Sequence, residues 1–252
     1  MKISVLASGS KGNCTYIETN CTKTLIDIGM SNLYIEKKLI SLGIDPDDIN
    51  NIFITHTHVD HIAGLKVFVK KHHPTVFLTQ LMYNELKDVI TDYVIIEDKI
   101  VTADLTVDFF KTSHDASDSV GYIFKSDDKE FVYVTDTGYI NIKNIKKITN
   151  KDFYTFESNH DIELLMNNPN YPYQTKQRIL GDKGHLSNIQ CLDYLRKIVG
   201  NKTKYIVLAH LSEQNNQPSL ALENLQGKLN DNIKIMVAKQ NENTELIEIW
   251  LK

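Results

Sequence analysis

Cysteine is scarce and odd in number: Cys14, Cys21 and Cys191 are the three in 252 residues, and no two form a C-x-x-C pair. That excludes a disulfide framework. Cys14 and Cys21 stand where a hairpin can oppose them, but in a reducing compartment both are expected to be free thiols. No Pro/Gly/Ser-rich stretch divides the chain either, so one domain over residues 1–252 is expected, long enough to bury a core without covalent staples. No apolar run approaches the ~18 residues of a membrane span. The opening Met1-Lys2-Ile3-Ser4-Val5-Leu6 runs into a Ser/Gly/Asn loop too soon for a secretory signal, and a cytoplasmic protein is expected. Positive charge is not in excess: 28 lysines and arginines face 32 aspartates and glutamates, a formal net charge of −4. This argues against a dedicated binding module with a broad basic face. It leaves room for an enzyme that acts on nucleic acid, because bound metal ions supply positive charge that composition omits.

What is present is ordinary for a folded protein, with 42% hydrophobic and 24% charged residues. Short runs rich in β-branched residues, Lys2 to Ala7, Cys14 to Thr19 and Lys23 to Ile28, are separated by turn formers and read as strands. A helix is expected from Tyr34 to Ser41, stopping at Gly43. The strand Ile52-Phe53-Ile54 is followed by a helix from Gly64 to His73 and a strand at Thr75 to Leu78. Further strands fit Leu105 to Lys111, Gly121 to Lys125, Phe131 to Thr135, Phe153 to Phe156, Tyr205 to Ala209 and Ile233 to Val237. Helices fit Leu186 to Val199 and Ser219 to Leu229, and Lys143 to Lys147 reads as a solvated helix face. Strands outnumber the helices that fall between them. The fold class is therefore α/β, an αββα sandwich of two mixed β-sheets with helices on the outer faces.

The metal-capable residues gather where strands stop. Strands end at His56, at His114, at Asp136 and at His210, and residues at one edge of a sheet are held rigidly enough to share a site. Within Thr55-His56-Thr57-His58-Val59-Asp60-His61, His56 and His58 lie two apart and point one way, while Asp60 and His61 turn back toward a second position. The pattern predicts two divalent metal ions. His56, His58 and His114 face one, Asp60, His61 and His210 face the other, and Asp136 bridges them. Zinc or manganese suits such a mixed His/Asp set, and iron is also compatible. His72 and His73 end a helix before Pro74, where the helix dipole favours them without a metal.

The string Thr-His-x-His-x-Asp-His after an apolar strand, with His114, Asp136 and His210 following in order, resembles the metallo-β-lactamase superfamily. The segments Leu6-Ala7-Ser8-Gly9-Ser10-Lys11-Gly12-Asn13, Phe156-Glu157-Ser158-Asn159-His160-Asp161 and Ile179 to Asn188 are similar to its YycJ/WalJ-like branch. That resemblance runs from Ile3 to about His210 and implies a 5′-to-3′ exonuclease on DNA. It also implies, by similarity to ribonuclease Z and cyclic phosphodiesterases, that Glu157, His160 and His185 flank the metals.

The chemistry expected of such a site is phosphodiester hydrolysis by a hydroxide held between two metal ions, with Asp60 orienting it. The leaving oxygen needs a proton, which His185 or His160 can give, Glu157 fixing a histidine tautomer. Lys176 and Arg178 are candidate phosphate contacts. An RNA or cyclic-nucleotide phosphodiesterase, or a thioester or lactam hydrolase on the same scaffold, is the alternative; the last leaves Glu157, His160 and His185 without a task.

Overall fold

In the computed structural model, which describes residues 1–249, the strands form two seven-stranded sheets. The first contains β1 (Lys2–Ala7), β2 (Cys14–Glu18), β3 (Lys23–Ile26), β4 (Asn51–Phe53), β5 (Thr75–Leu78), β6 (Tyr93–Ile95) and, beside β1, β14 (Ile247–Glu248). The second contains β7 (Ile100–Thr102), β8 (Leu105–Lys111), β9 (Val120–Ser126), β10 (Lys129–Val134), β11 (Phe153–Glu157), β12 (Tyr205–Ala209) and β13 (Lys234–Val237). Each sheet pairs antiparallel on one side and parallel on the other: β1 to β3 and β7 to β10 run as meanders, β3 to β6 and β10 to β13 in parallel. The two halves therefore share a topology, although the sequence carries no repeat.

Alternation along the second sheet shows how it serves two layers. Phe131, Tyr133, Phe153 and Val207 join the core between the sheets, while Val132, Val134, Tyr154, Phe156, Ile206 and Leu208 point to an outer core. That outer core is covered by α5 (Ile142–Ile148), α8 (Asn188–Ile198) and α9 (Pro218–Leu225) through Ile148, Leu192, Leu195 and Leu225. On the first sheet, α1 (Asn32–Ser41), α3 (Leu65–His72) and α4 (Gln80–Leu86) supply Leu39, Phe68 and Met82. This is the expected αββα sandwich. Between the sheets, Phe53 stacks on Phe77 at 4.5 Å and meets Phe124 edge-on at 5.3 Å, a contact that joins one sheet to the other. Tyr122 adds a buried hydrogen bond, its hydroxyl donating to the Ile54 carbonyl at 2.6 Å. The strand that carries the histidine motif is thereby anchored just before the motif begins.

Several boundaries differ from expectation. The third strand stops at Ile26 because Asp27 adopts a left-handed backbone (φ 58°), and α9 stops at Leu225 rather than Leu229. His72 is held by Glu36 and Asp47 carboxylates, which account for it more directly than the helix dipole. Cys14 is buried and Cys21 exposed, both as free thiols. Residues 213–249 complete both sheets and brace the first strand: Val5 and Thr244 exchange hydrogen bonds of 3.0 and 2.9 Å. Among the described residues no helix is long and apolar enough to cross a membrane.

Candidate active site

The histidine motif leaves β4 through a residue that is held twice. Thr55 donates its N–H to Asp27 Oδ1 and its hydroxyl to Asp27 Oδ2, both at 2.8 Å. Beyond it, His58 opens the single-turn helix α2 (Val59–Ile62), whose turn carries Asp60 and His61 back toward the sheet, with His61 N donating to His58 O at 2.9 Å. From the second sheet, His114 follows β8, Asp136 follows β10, Glu157 ends β11 and His210 follows β12. Asp27, Asp136 and His210 all have positive φ (58°, 53° and 56°), a strain that non-glycine residues carry where a site requires it.

The histidines divide their nitrogens in a consistent way. His56 Nδ1 lies 3.1 Å from the Thr55 hydroxyl, His61 Nδ1 2.7 Å from Asp27 Oδ2, His114 Nδ1 3.3 Å from the Gly184 carbonyl and His210 Nδ1 2.9 Å from Glu157 Oε1. One ring nitrogen of each is thus engaged by the chain, the arrangement that fixes tautomer and ring orientation at metal sites, and the second faces the cluster. His56 Nε2, His210 Nε2 and Asp136 Oδ2 are buried without any hydrogen-bond partner. Donor atoms of His56, His58 and His114 lie within 4.8 Å of one another, as do those of His56, His61 and Asp136, and of Asp60, His61 and His210. Orphaned lone pairs converging in this way fit two divalent cations, because buried acceptors facing one another are otherwise unfavourable.

Burial opposes charge on His61 and His210, but Asp136 and the neighbouring carboxylates raise both above the ordinary histidine range, which marks where a bound cation would replace their protons. Burial, aided by the His61 charge, holds His56 well below the ordinary histidine range, so its lone pair is free. Burial opposes charge on Asp136, but His210 and His61 outweigh it and keep the carboxyl well below its usual range. Burial likewise opposes charge on Asp60, and the nearby His210 and His61 outweigh it, holding the carboxyl well below its usual range.

Two residues that hold this centre escaped the sequence reading. Asp27, fully buried, gathers the two Thr55 donors and His61 Nδ1; its only signal is an aspartate between an apolar strand and a glycine, as at Asp136. Asn13, in the loop singled out by resemblance alone, sits 3.0 Å from His61 Nε2 and takes its backbone N–H to the Asp60 carbonyl at 2.8 Å. Gly29 permits this closeness, since a Cβ there would fall 1.7 Å from Asp60 O. Asp27→Asn is expected to lower metal affinity about 10- to 100-fold by loosening His61. Titration against a chelator of known affinity measures it, and an unchanged affinity would remove Asp27 from this role.

Glu157 is the hub of the second layer. Fully buried, it accepts from His185 Nδ1 (2.8 Å) and His210 Nδ1 (2.9 Å) on Oε1, and from the Thr137 and Leu186 N–H groups (3.0 and 3.1 Å) on Oε2. Burial raises its carboxyl, yet His185 and His210 pull it down to about 2. With its oxygens so occupied it holds two histidines in place. His185, partly exposed, lines the cleft beside His58, Asp60 and His210.

His160 is placed differently from the donor role considered above. It is fully buried, it is not among the residues that line the cleft, and burial pushes its pKa down to about 4, so near neutral pH it has no proton to give as an imidazolium. The cationic pair also separates. Arg178 lines the cleft, its Nε 3.7 Å from Asp115 Oδ2, whereas Lys176 turns its Nζ to the Met166 carbonyl at 2.6 Å.

A model of the metallo-beta-lactamase superfamily matches residues 7–210 of the chain. The sequence is 38% identical over 229 residues to the exodeoxyribonuclease WalJ of Streptococcus pneumoniae, covering 87% of this chain and 85% of that protein. It is 36% identical over 228 residues to the exodeoxyribonuclease YycJ of Bacillus anthracis, covering 88% and 86%. Among solved structures, the metallo-beta-lactamase fold protein YhfI of Bacillus subtilis aligns with a TM-score of 0.75 at 14% identity, over 97% of this chain and 99% of that one. Human tRNase Z, short form, aligns with a TM-score of 0.68 at 14% identity, over 98% and 100%. At such identities the two structures bear on the fold alone.

Proposed function

The chain belongs to the metallo-beta-lactamase superfamily, and from that premise we propose that it is a metal-dependent phosphodiesterase, a DNA exonuclease working from the 5′ end. The observation that carries the reading is the Glu157–His185 pair at the edge of the histidine cluster. The thiolate of a thioester leaves without a proton, whereas the leaving sugar oxygen of a phosphodiester needs a proton donor. The DNA preference is supported by the two exodeoxyribonuclease relatives. The 5′ direction is supported by the resemblance of the Leu6–Asn13 and Ile179–Asn188 segments.

His56, His58, His114 and Asp136 would hold one ion, and Asp60, His61, His210 and Asp136 the other. When bound, two divalent ions polarise a phosphate oxygen and bring the pKa of water near neutrality. Zinc and manganese both suit the donor set. Asp60, ionised and partly exposed at the cleft, accepts a hydrogen bond from the attacking water and aims it. His185 keeps Nδ1–H on Glu157, which leaves Nε2 as the nitrogen that carries a proton to the leaving oxygen. Arg178 meets a non-bridging oxygen of the same phosphate or its neighbour.

End-labelled DNA and RNA incubated with Mn²⁺ or Zn²⁺ test the reading. A 5′ label on DNA is expected to appear first as a short product. A label kept on a ladder of shortening strands overturns the direction, and equal or faster cleavage of RNA overturns the DNA preference.

The net charge of −4 sets a further expectation. Binding to long DNA depends on the strand end and the metals, so few phosphates are neutralised by lysine or arginine and the log–log salt slope is shallow. A slope equivalent to about six or more phosphate contacts, measured by filter binding across salt concentrations, contradicts it.

A further inference from the structure

Along β8 and β9 the outer face of the second sheet changes character. Phe110 and Ile123 still join the outer core, but Thr106, Asp108 and Lys125, which point the same way on the same strands, do not. Two hollows flank α5 there. One is lined by Lys111, Ser113, Tyr139 and Lys143, the other by Lys99, Lys125, Lys147 and Lys151 with Asp108 and Glu130. Lys143 and Lys147 stand one helical turn apart on α5, one in each hollow, so a single face of the helix runs past both. That face is pinned along β8, where Asn144 Nδ2 donates to Lys111 O at 2.9 Å and Lys147 Nζ donates to Phe109 O at 3.4 Å.

The charges in this row are not balanced from within. Lys111, Lys147 and Lys151 have Asp118, Asp108 and Glu130 as partners. Lys99, Lys125 and Lys143 are exposed, and among the described residues none of them has a carboxylate partner. The Lys147–Asp108 pair, exposed and 3.4 Å apart, contributes little and leaves that ammonium available as well. The row begins at the proposed metal centre. Ser113 precedes His114, and it ties that loop to the loop of Asp136, accepting from Gly138 N at 2.9 Å and donating its own N–H to Thr137 Oγ1 at 3.1 Å. From Lys111 back to Thr106, β8 covers about 17 Å, the length of about five nucleotides along one strand of a duplex.

Resting on the nuclease reading of the cleft, we propose that this row is a phosphate track: the body of the DNA, beyond the nucleotide being cut, lies along β8 and α5 with backbone phosphates at Lys143, Lys125 and Lys99. Charge complementarity identifies the occupant. Exposed ammonium groups spaced along a strand suit a polyanion of repeating charge better than one small anion, and the row leads into the loops that carry His114 and Asp136. Apart from Tyr139, the lining residues offer no aromatic ring on which a base could stack. Contact is therefore with the backbone and independent of sequence. Three such contacts stay under the about six that would contradict the shallow salt slope expected from the net charge.

Filter binding of a labelled duplex of about fifteen pairs to the metal-loaded protein tests the track. Its linkages are phosphorothioate, which keeps the charge and resists cleavage. Lys125→Gln/Lys143→Gln, one change in each hollow, is expected to weaken binding about 10- to 50-fold at about 0.1 M salt and to lower the log–log salt slope by about two. Lys125→Arg/Lys143→Arg is expected to keep both. Turnover of the p-nitrophenyl ester of thymidine monophosphate, which is too short to reach the track, is expected to be the same in all three proteins. Affinity and slope unchanged by the glutamine pair overturn the proposal. An equal loss on the p-nitrophenyl ester also overturns it, since the lysines would then act in the cleft, and so does a matching loss in the arginine pair, which would make the effect one of packing. The nuclease reading fails separately, on the absence of cleavage of ordinary DNA by the metal-loaded protein, because the binding measurement needs no turnover.

Discussion

Asp136→Ala is expected to bind at most one metal ion per chain where the unaltered protein binds up to two, as read by elemental analysis after gel filtration. Among the described residues its carboxylate is the one that reaches both groups of histidines. It lies 3.2 Å from His61 Nε2 on Oδ2, and 3.7 and 3.4 Å from His114 Nε2 and His210 Nδ1 on Oδ1, while Oδ2 has no hydrogen-bond partner. The backbone at Asp136 is left-handed, so the loop pays a conformational cost to bring that oxygen there. Alanine removes the bridge and also the counter-charge that, together with Asp27, sustains His61 above the ordinary histidine range against its burial. Loss of a buried partner of this kind costs about 3–5 kcal/mol, so the variant is expected to unfold earlier as well. Asp136→Asn separates the two effects, since it keeps the shape and removes the charge. Full metal content in Asp136→Ala would show that the two histidine groups do not share this ligand.

How much of this was legible in the residues depends on which physical signal each carries. The seven proposed ligands are legible because metal chemistry restricts residue type and because strand ends are marked by apolar runs that stop abruptly. The positioning layer is not. Asp27 and Asn13 act through contacts between segments 34 and 48 residues apart from His61, and nothing in their local sequence distinguishes them from turn formers. Short elements were missed for a related reason. The strands Tyr93–Ile95 and Ile100–Thr102 lie at or near sheet edges and are largely exposed, so no alternation marks them. Helix α7 (Tyr173–Leu180) was missed because its stripe contains an arginine and a threonine that face the cleft, where a core-facing helix would show apolar residues. His160 illustrates the opposite error. A motif that places it beside Glu157 in sequence says nothing of depth, and the strand-to-loop turn after β11 sends Glu157 to the histidines and His160 inward. Lys176 and Arg178, two apart on one helix, cannot share a face, and the structure gives the cleft to Arg178.

His185→Ala is expected to keep both metals and the fold, and to slow cleavage of DNA by about 10²- to 10⁴-fold, the usual worth of a general acid. The metals should stay because the Nδ1 of His185 is already committed. Although Asp136, Glu157, His185 and His210 gather within 4.8 Å, two of the contacts among them are hydrogen bonds of 2.8 and 2.9 Å to one oxygen of Glu157, so the group is a positioning knot and not an open coordination site. The fold should stay because the side chain is partly exposed and Glu157 retains His210 and two backbone donors. A better leaving group distinguishes proton donation from mere positioning. A p-nitrophenyl phosphodiester departs without needing a proton, so the defect of His185→Ala should shrink on it toward that of the unaltered protein. An equal defect on both substrates would make His185 a phosphate-positioning residue and leave the proton to solvent, since His160 has no access to the cleft. Loss of metal in the variant would instead place His185 among the ligands. Glu157→Gln supplies the complementary measurement. It removes the charge that orients His185, so the alkaline limb of the pH–rate profile, where the donor loses its proton, should move while p-nitrophenyl turnover suffers less than DNA cleavage. A profile unmoved by Glu157→Gln would break the link between the two residues on which the proton-transfer step depends.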